Sequence, residues 1–460
     1  MKFYIQTFGC QMNEYDSERL CEFLQKSGWA KTETYANADL VILNTCSIRE
    51  KATHKIYSEL GRINIKKQKM CKKSQYMVIA VLGCVAEVEK EKIFKKAPYV
   101  DIILSPQSHL DLLSFVKCIL SSCENKKGRL VATKTHLSNL ELDANKKFSF
   151  LAEEREKFNG VSAYITIQEG CNKFCTYCVV PNTRGRELAR NPEDIIKEAE
   201  KVADQGAKEI VLLGQNVSSY KFNDKNTTWT LIELIKSIAK IPQIQRIRYI
   251  TSHPRDITQE LIDLHHNEPK LMPYLHLPVQ SGSNTILQKM NRKYTAEFYI
   301  DIINRYKQAV PNMVFSSDFI VGFPTETNDD FLQTLELVKK INYQAQCFAF
   351  KYSPRPNTVA TLSKEQVPDK IASERLTELQ NLLEEQRMNF ALSLLGKQVN
   401  VLFDNQNMQN EKQVCGRDEY MHLVVVNCEN HEDKAKIYSK ILPVKIVKIE
   451  ANVLIGKIVI

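Results

Sequence analysis

A chain of 460 residues is too long for one hydrophobic core, and domain-size statistics suggest roughly three domains of about 100–200 residues. Its 43% apolar and 25% charged residues exclude wholesale disorder, and no run of about 18 uncharged apolar residues is present that would span a membrane. The 63 Lys and Arg against 54 Asp and Glu give +9, which favours a polyanionic partner but describes a solvated basic face equally well.

Residues Met1 to Cys10 run straight into Gln11, Asn13, Glu14 and Asp16 without an apolar stretch of signal-peptide type, so a cytoplasmic protein with no membrane partner is expected. Over residues 1–122, apolar runs at Phe3 to Thr7, Leu40 to Leu43, Met77 to Leu82 and Val100 to Leu104 alternate with helical periodicity. In Asp16 to Lys26, for example, Leu20, Phe23 and Leu24 share one side. The alternation predicts a doubly wound α/β domain. Residues 123–160 are rich in charge and show no clear period, which reads as a linker.

Residues 161–390 contain six strand-then-helix units, with strands near Tyr164 to Gln168, Glu209 to Leu213, Arg248 to Thr251, Tyr274 to Leu277, Val314 to Val321 and Gln346 to Lys351. They predict a partial TIM-like (β/α)6 barrel with its site at the carboxyl ends of the strands. An amphipathic run from Pro368 to Leu395 closes it. Residues 391–460 change to short alternating segments, Val399 to Phe403, Leu423 to Val426, Val444 to Ile449 and Val453 to Ile460, which predict a small all-β barrel.

Thirteen cysteines in a reducing compartment are more often metal ligands, reactive thiols or core residues than disulfides. Cys171, Cys175 and Cys178 have the spacing Cys-x3-Cys-x2-Cys directly after a strand. Three thiolates on one loop can ligate three irons of a 4Fe-4S cluster and leave the fourth open to a chelating ligand. Structural zinc is the alternative, and it normally takes four ligands. Cys10, Cys46 and Cys84 each follow a predicted strand, so a doubly wound sheet would bring them to one crevice. Taken singly, each also reads as a buried core cysteine. Cys21, Cys71, Cys118, Cys123, Cys347, Cys415 and Cys428 have no partner pattern and read as structural.

The segment Gly170 to Cys178 resembles the signature of radical S-adenosylmethionine (SAM) enzymes. Thr7-Phe8-Gly9-Cys10-Gln11-Met12-Asn13, Asn44-Thr45-Cys46 and Gly83-Cys84 resemble the N-terminal domain of the methylthiotransferases. Leu213-Gly214-Gln215-Asn216, Thr251-Ser252-His253-Pro254, Leu275 to Ser283 and Asp318 to Pro324 resemble that family's radical SAM barrel. The C-terminal module, with Gly416-Arg417-Asp418, resembles the RNA-binding TRAM domain. Within the family, Gly9 to Asn13 and Cys175 to Pro181 are most similar to members that act on N(6)-dimethylallyladenosine next to the anticodon of tRNA. The extra basic stretch Lys66 to Lys73 departs from the family pattern.

The resemblance implies two 4Fe-4S clusters, an auxiliary one on Cys10, Cys46 and Cys84 and a SAM-binding one on Cys171, Cys175 and Cys178. It implies SAM as both methyl donor and source of the radical that activates adenine C2, followed by methylthio transfer. Tyr177 would lie against the adenine of SAM. Gly214, Gln215, Asn216, Ser252, His253, Gln280 and Gly322 lie at predicted strand ends, where SAM or substrate would bind, although a turn glycine or a loop-capping His253 would look the same. Arg184 and Arg186 are candidates to meet a carboxylate or an RNA phosphate. Lys434, Lys436, Lys440, Lys445 and Lys448 offer a face for RNA, or mere solubilising charge. Expected partners are tRNA, SAM, a flavodoxin- or ferredoxin-like electron donor and a sulfur or cluster supply system, with the protein a monomer. The alternatives are the same chemistry on threonylcarbamoyladenosine in tRNA or on a ribosomal-protein aspartate, and a non-catalytic iron–sulfur protein for RNA binding or electron transfer.

Overall fold

The computed structural model describes residues 1–46, 50–126, 129–152, 155, 157–224, 227–404, 412–428, 431–450 and 453–459. The chain divides into two compact units. The first comprises Met1–Lys157, Gln168–Asn172 and Cys178–Arg190; the second comprises Phe158–Ile167, Lys173–Tyr177 and Asn191–Ile460.

In the first unit, strands Ala30–Lys31, Lys2–Thr7, Leu40–Thr45, Val78–Gly83, Ile102–Leu104 and Leu137–Asn139 lie side by side in that order, all parallel. Their near-continuous apolar character follows from burial of both faces. Leu40, Ile42, Ala80 and Leu82 pack on one side against Leu20 and Leu24 of helix Gln11–Lys26 and against Val116 and Ile119 of helix Leu112–Ser121. Val41, Leu43, Ile79 and Val81 pack on the other side against Ile56, Leu60 and Ile63 of helix Glu50–Cys71. The expected doubly wound arrangement is present.

The charge-rich segment 123–160 is not the structureless linker its composition suggests. It forms the antiparallel hairpin Cys123–Lys126 with Arg129–Ala132, the sixth strand Leu137–Asn139, and helix Ala144–Ala152. These elements are too short to show a period. Two of the charges, Lys147 and Arg155, are buried in ion pairs rather than solvated.

The basic stretch also contains one buried member. Lys67 Nζ donates to Asp101 Oδ2 at 2.5 Å, and Asp101 also accepts from Tyr76 Oη at 2.8 Å and from the backbone N–H of Ile79 at 2.7 Å. Asp101→Ala would leave the buried Lys67 ammonium with only the Tyr99 carbonyl and no counter-charge, and would take the acceptor from the Tyr76 hydroxyl and the Ile79 N–H. We expect a loss of about 3–5 kcal/mol in chemical denaturation.

In the second unit, strands Ser162–Thr166, Glu209–Leu213 and Arg246–Ile250 pair in parallel, as do Tyr274–His276 with Val314–Ser316 and Asp318–Val321 with Phe348–Lys351. The fifth predicted strand is interrupted at Ser317, whose hydroxyl donates to Leu277 O and accepts from the Val279 N–H. Helices follow the strands at Pro192–Asp204, Leu231–Ala239, Gln259–Asn267, Ala296–Ala309 and Asn328–Ile341, with Asp369–Ser393 after the last strand. Within the same unit, strands Gln398–Phe403, Gln413–Arg417, Leu423–Asn427, Val453–Ile458 and Ile441–Glu450 close a barrel around Val401, Phe403, Val424, Val444 and Ile446. Buried Arg246 and Arg248 tie this barrel to the β/α strands. Arg246 donates to the carbonyls of Asn400 and Arg417, and Arg248 to those of Asp418 and Glu419. Arg248 is itself neutralised by Glu209 at 2.7 Å.

Candidate active site

The first unit gathers Cys10, Cys46 and Cys84 where the sheet predicts. Thr7 pairs with Asn44 and Thr45 with Gly83, so three adjacent parallel strands end level and each delivers a cysteine within a few residues. Cys10 caps the start of helix Gln11–Lys26, and Cys84 opens helix Cys84–Glu89. A polar brace holds the three loops. Asn13 Nδ2 donates to Phe8 O at 3.0 Å and Thr45 O at 2.9 Å, Asn44 Nδ2 donates to Asn13 O at 3.0 Å, and Thr45 Oγ1 donates to Leu82 O at 2.5 Å.

The crevice acts on two of its thiols in opposite directions. A hydrogen bond with Cys46 brings the Cys10 thiol down to about 6; burial opposes this and Arg184 assists. Burial pushes Cys84 up, against the pull of Arg184. Arg184 is only 3% exposed. Its Nη1 forks onto Glu169 at 3.0 and 3.1 Å, its Nη2 donates to Asn13 Oδ1 at 2.9 Å, and it hydrogen-bonds the Cys84 thiol. Lys147 bridges Asp16, at 2.7 Å, and Glu169. Arg184 therefore meets a carboxylate and is too buried to reach RNA, whereas Arg186 is exposed.

Cys171, Cys175 and Cys178 lie on one loop, each partly exposed. In the second unit, the loop residues Phe174 to Tyr177 are anchored by Asn291 Nδ2 donating to Phe174 O at 2.9 Å, Thr176 N–H donating to Met290 O at 3.1 Å, and Ala360 N–H donating to Thr176 O at 2.9 Å. Arg292 Nη1 lies 3.5 Å from Cys175 Sγ. Tyr177 packs on a cluster of Ile286, Met290, Phe323 and Ala360.

The predicted strand-end residues separate into two groups. Ser252 Oγ and His253 Nε2 are buried without a hydrogen-bond partner in the protein. Burial, with Arg292, Lys173 and Arg255 nearby, lowers His253 to about 2, so it is neutral. Its Nδ1 accepts the Arg255 N–H at 3.3 Å, which puts the proton on Nε2. Ser252 and His253 thus present unsatisfied polar groups that a ligand could meet. Gln280, buried at φ +76°, has a strained backbone conformation of the kind that clusters at functional sites.

Asn216 is already engaged. Its Nδ2 donates to Asp256 at 2.7 Å and its Oδ1 accepts the His253 N–H at 3.0 Å, so it orients the His253 loop. Gly214 is buried beside it, and Gln215 is partly buried. Gly322 has a packing reason: a Cβ there would sit 2.6 Å from Ala372 Cβ.

Two family models match parts of the chain. Residues 2–105 match the uncharacterized protein family UPF0004, and residues 165–338 match the Radical SAM superfamily. The chain is 48% identical to the tRNA-2-methylthio-N(6)-dimethylallyladenosine synthase of Rickettsia canadensis (strain McKiel), over 99% of each chain. It is 47% identical to the protein of the same name from Rickettsia akari (strain Hartford), again over 99% of each. The chain belongs to the radical SAM methylthiotransferase family. Among solved structures, the radical S-adenosylmethionine methyltransferase TsrM from Kitasatospora setae, with cobalamin and a [4Fe-4S] cluster bound, matches 78% of this chain and 74% of its own. The TM-score is 0.55 at 12% identity, a likeness of fold.

As a radical SAM methylthiotransferase the protein uses SAM and 4Fe-4S clusters, for which the two cysteine sets are the candidate ligands. Among the described residues, no three His, Cys, Asp or Glu side chains converge on the point a single ion would occupy. A cluster places each thiolate on a different iron, so its ligands need only face a shared space. Arg292, Glu169, Lys147 and Asp256 are absent from the sequence-based site. Their roles depend on pairing between distant positions, and no local motif carries that information.

Proposed function

We infer that this protein transfers a methylthio group to C2 of N(6)-dimethylallyladenosine next to the anticodon of tRNA. The reading rests above all on 47–48% identity along the full length to synthases of that product. Cys10, Cys46 and Cys84 would hold the auxiliary cluster, and Cys171, Cys175 and Cys178 would hold the cluster that binds SAM. When bound, these groups and SAM supply the one-electron chemistry, the methyl group and the sulfur.

The chain's own residues set the stage for that chemistry. Asn13 and Asn44 fix the spacing of the auxiliary ligands, and Arg184 keeps positive charge beside their sulfurs. Tyr177 would lie against the adenine of SAM, while Ser252 Oγ and the His253 Nε2–H would offer hydrogen bonds to polar groups of SAM or substrate. Gly214, Gln215, Asn216, Gln280 and Gly322 shape the walls of the mouth. The C-terminal barrel binds RNA backbone through Lys436, Lys440, Lys445 and Lys448, all exposed, with half-buried Lys434 beside them. The protein works as a cytoplasmic monomer supplied by a flavodoxin- or ferredoxin-like electron donor and a sulfur or cluster supply system; among the described residues no helix is long and apolar enough to cross a membrane.

The test is anaerobic turnover of reconstituted, dithionite-reduced protein with SAM and dimethylallyl-modified tRNA. We expect 5′-deoxyadenosine together with 2-methylthio nucleoside, both lost in Cys175→Ala. Formation of 5′-deoxyadenosine with threonylcarbamoyl-modified tRNA or a ribosomal protein in place of this substrate would redirect the assignment; neither product from cluster-loaded protein would overturn it.

A further inference from the structure

A buried cation lies against the loop of Cys175. Arg292 is 5% exposed, just beyond helix Asn284–Lys289. Its Nη2 donates to Pro278 O at 2.6 Å, its Nε donates to the Tyr294 hydroxyl at 2.9 Å, and its Nη1 reaches Cys175 Sγ at 3.5 Å. The guanidinium also lies over the Tyr294 ring at 5.2 Å. Tyr294 donates its own proton to Val279 O at 2.8 Å, so it remains a neutral phenol.

Several other buried guanidiniums in the protein have carboxylate partners. Arg184 has Glu169, Arg248 has Glu209, and Arg375 has Glu326 at 2.7 Å. In Arg292 a thiol occupies that position. Arg292 has no carboxylate of this kind beside it, and the acceptor within reach that would carry negative charge as a cluster ligand is the Cys175 sulfur. The groups around the cation do not supply the missing charge. His253, edge-on to Tyr294 at 5.5 Å, is neutral, and Lys173 is already paired with Asp256 at 2.7 Å.

We propose that Arg292 is the built-in counter-charge of the cluster held by Cys171, Cys175 and Cys178: it fixes the Cys175 sulfur and favours the reduced cluster. This rests on reading those cysteines as ligands. One electron from an external reductant makes the cluster more negative without breaking a bond, so a fixed cation beside one ligand stabilises the reduced state more than the oxidised one. Arg292 is a positioning residue; it acts through Cys175.

The test uses the full chain with both clusters, compared as wild type, Arg292→Gln, Arg292→Lys and Cys175→Ala. Midpoint potential is read by paramagnetic resonance during reductive titration, and the component missing from Cys175→Ala identifies the cluster concerned. Arg292→Gln should move that component to more negative potential, and Arg292→Lys should bring it most of the way back. An unchanged midpoint in Arg292→Gln with wild-type iron content overturns the proposal. Should Arg292→Gln not fold, Arg292→Lys decides, because a retained charge must hold the midpoint near wild type and a large negative displacement overturns it. If Cys175→Ala loses no component, the assignment of the cysteines fails instead.

Discussion

Replacing Gly9 by alanine is expected to lower methylthio transfer on the order of 100-fold while leaving SAM cleavage close to wild type. Gly9 has φ +121°, a conformation that side chains rarely adopt. A Cβ there would overlap Cys46 Cβ and lie 2.9 Å from Cys46 Sγ. Neither neighbour can give way easily. Cys10 is fixed as the first cap of a sixteen-residue helix, and the Cys46 loop is tied to Asn13 through Thr45 O. The steric damage therefore falls on the spacing between two of the three auxiliary sulfurs, with a stability cost of about 1–3 kcal/mol. Reconstituted Gly9→Ala should hold about half the wild-type iron. With dimethylallyl-modified tRNA and SAM it should still yield 5′-deoxyadenosine but little methylthio product. Full iron content with undiminished methylthio product would show that Cys10 and Cys46 do not ligate together.

That crevice was readable from sequence because a parallel sheet converts a repeated pattern into a shared place. Cys10, Cys46 and Cys84 are far apart in the chain, yet each follows an apolar strand, and in register such strands end together. The same logic located Ser252 and His253 after strand Arg246–Ile250. What escaped was charge pairing. Lys147 and Arg155 lie in a stretch whose composition reads as linker, and Arg184 reads as a candidate for a carboxylate or an RNA phosphate with nothing local to say which. Their burial is decided by partners such as Asp16, Glu18 and Glu169, and nothing in their local sequence distinguishes a buried ion pair from a surface charge. The same limit hid the partners of Asn216, whose amide meets Asp256 and the His253 backbone.

The second large effect is expected at Arg184. Arg184→Met would remove the cation that bonds Glu169 twice, Asn13 once and the Cys84 thiol, and lies 3.6 Å from Asp16. Lys147 alone would then face the buried carboxylates of Asp16 and Glu169. Stranding a buried charge in this way costs about 3–5 kcal/mol. For a unit of this size that corresponds to a fall in unfolding temperature of roughly 10 °C. Loss of positive charge beside Cys10 and Cys84 also disfavours their thiolate forms, so iron retention by the auxiliary site should fall as well. The two consequences are separable. Arg184→Met combined with Glu169→Gln leaves Lys147 and Asp16 as a balanced pair, so most of the thermal stability should return. The sulfurs still lack their cation, so iron retention should not. Thermal unfolding and iron content measured on the single and double variants decide the matter: if stability and iron recover together, Arg184 serves only to neutralise Glu169, and if stability recovers alone, its charge acts directly on the cysteines.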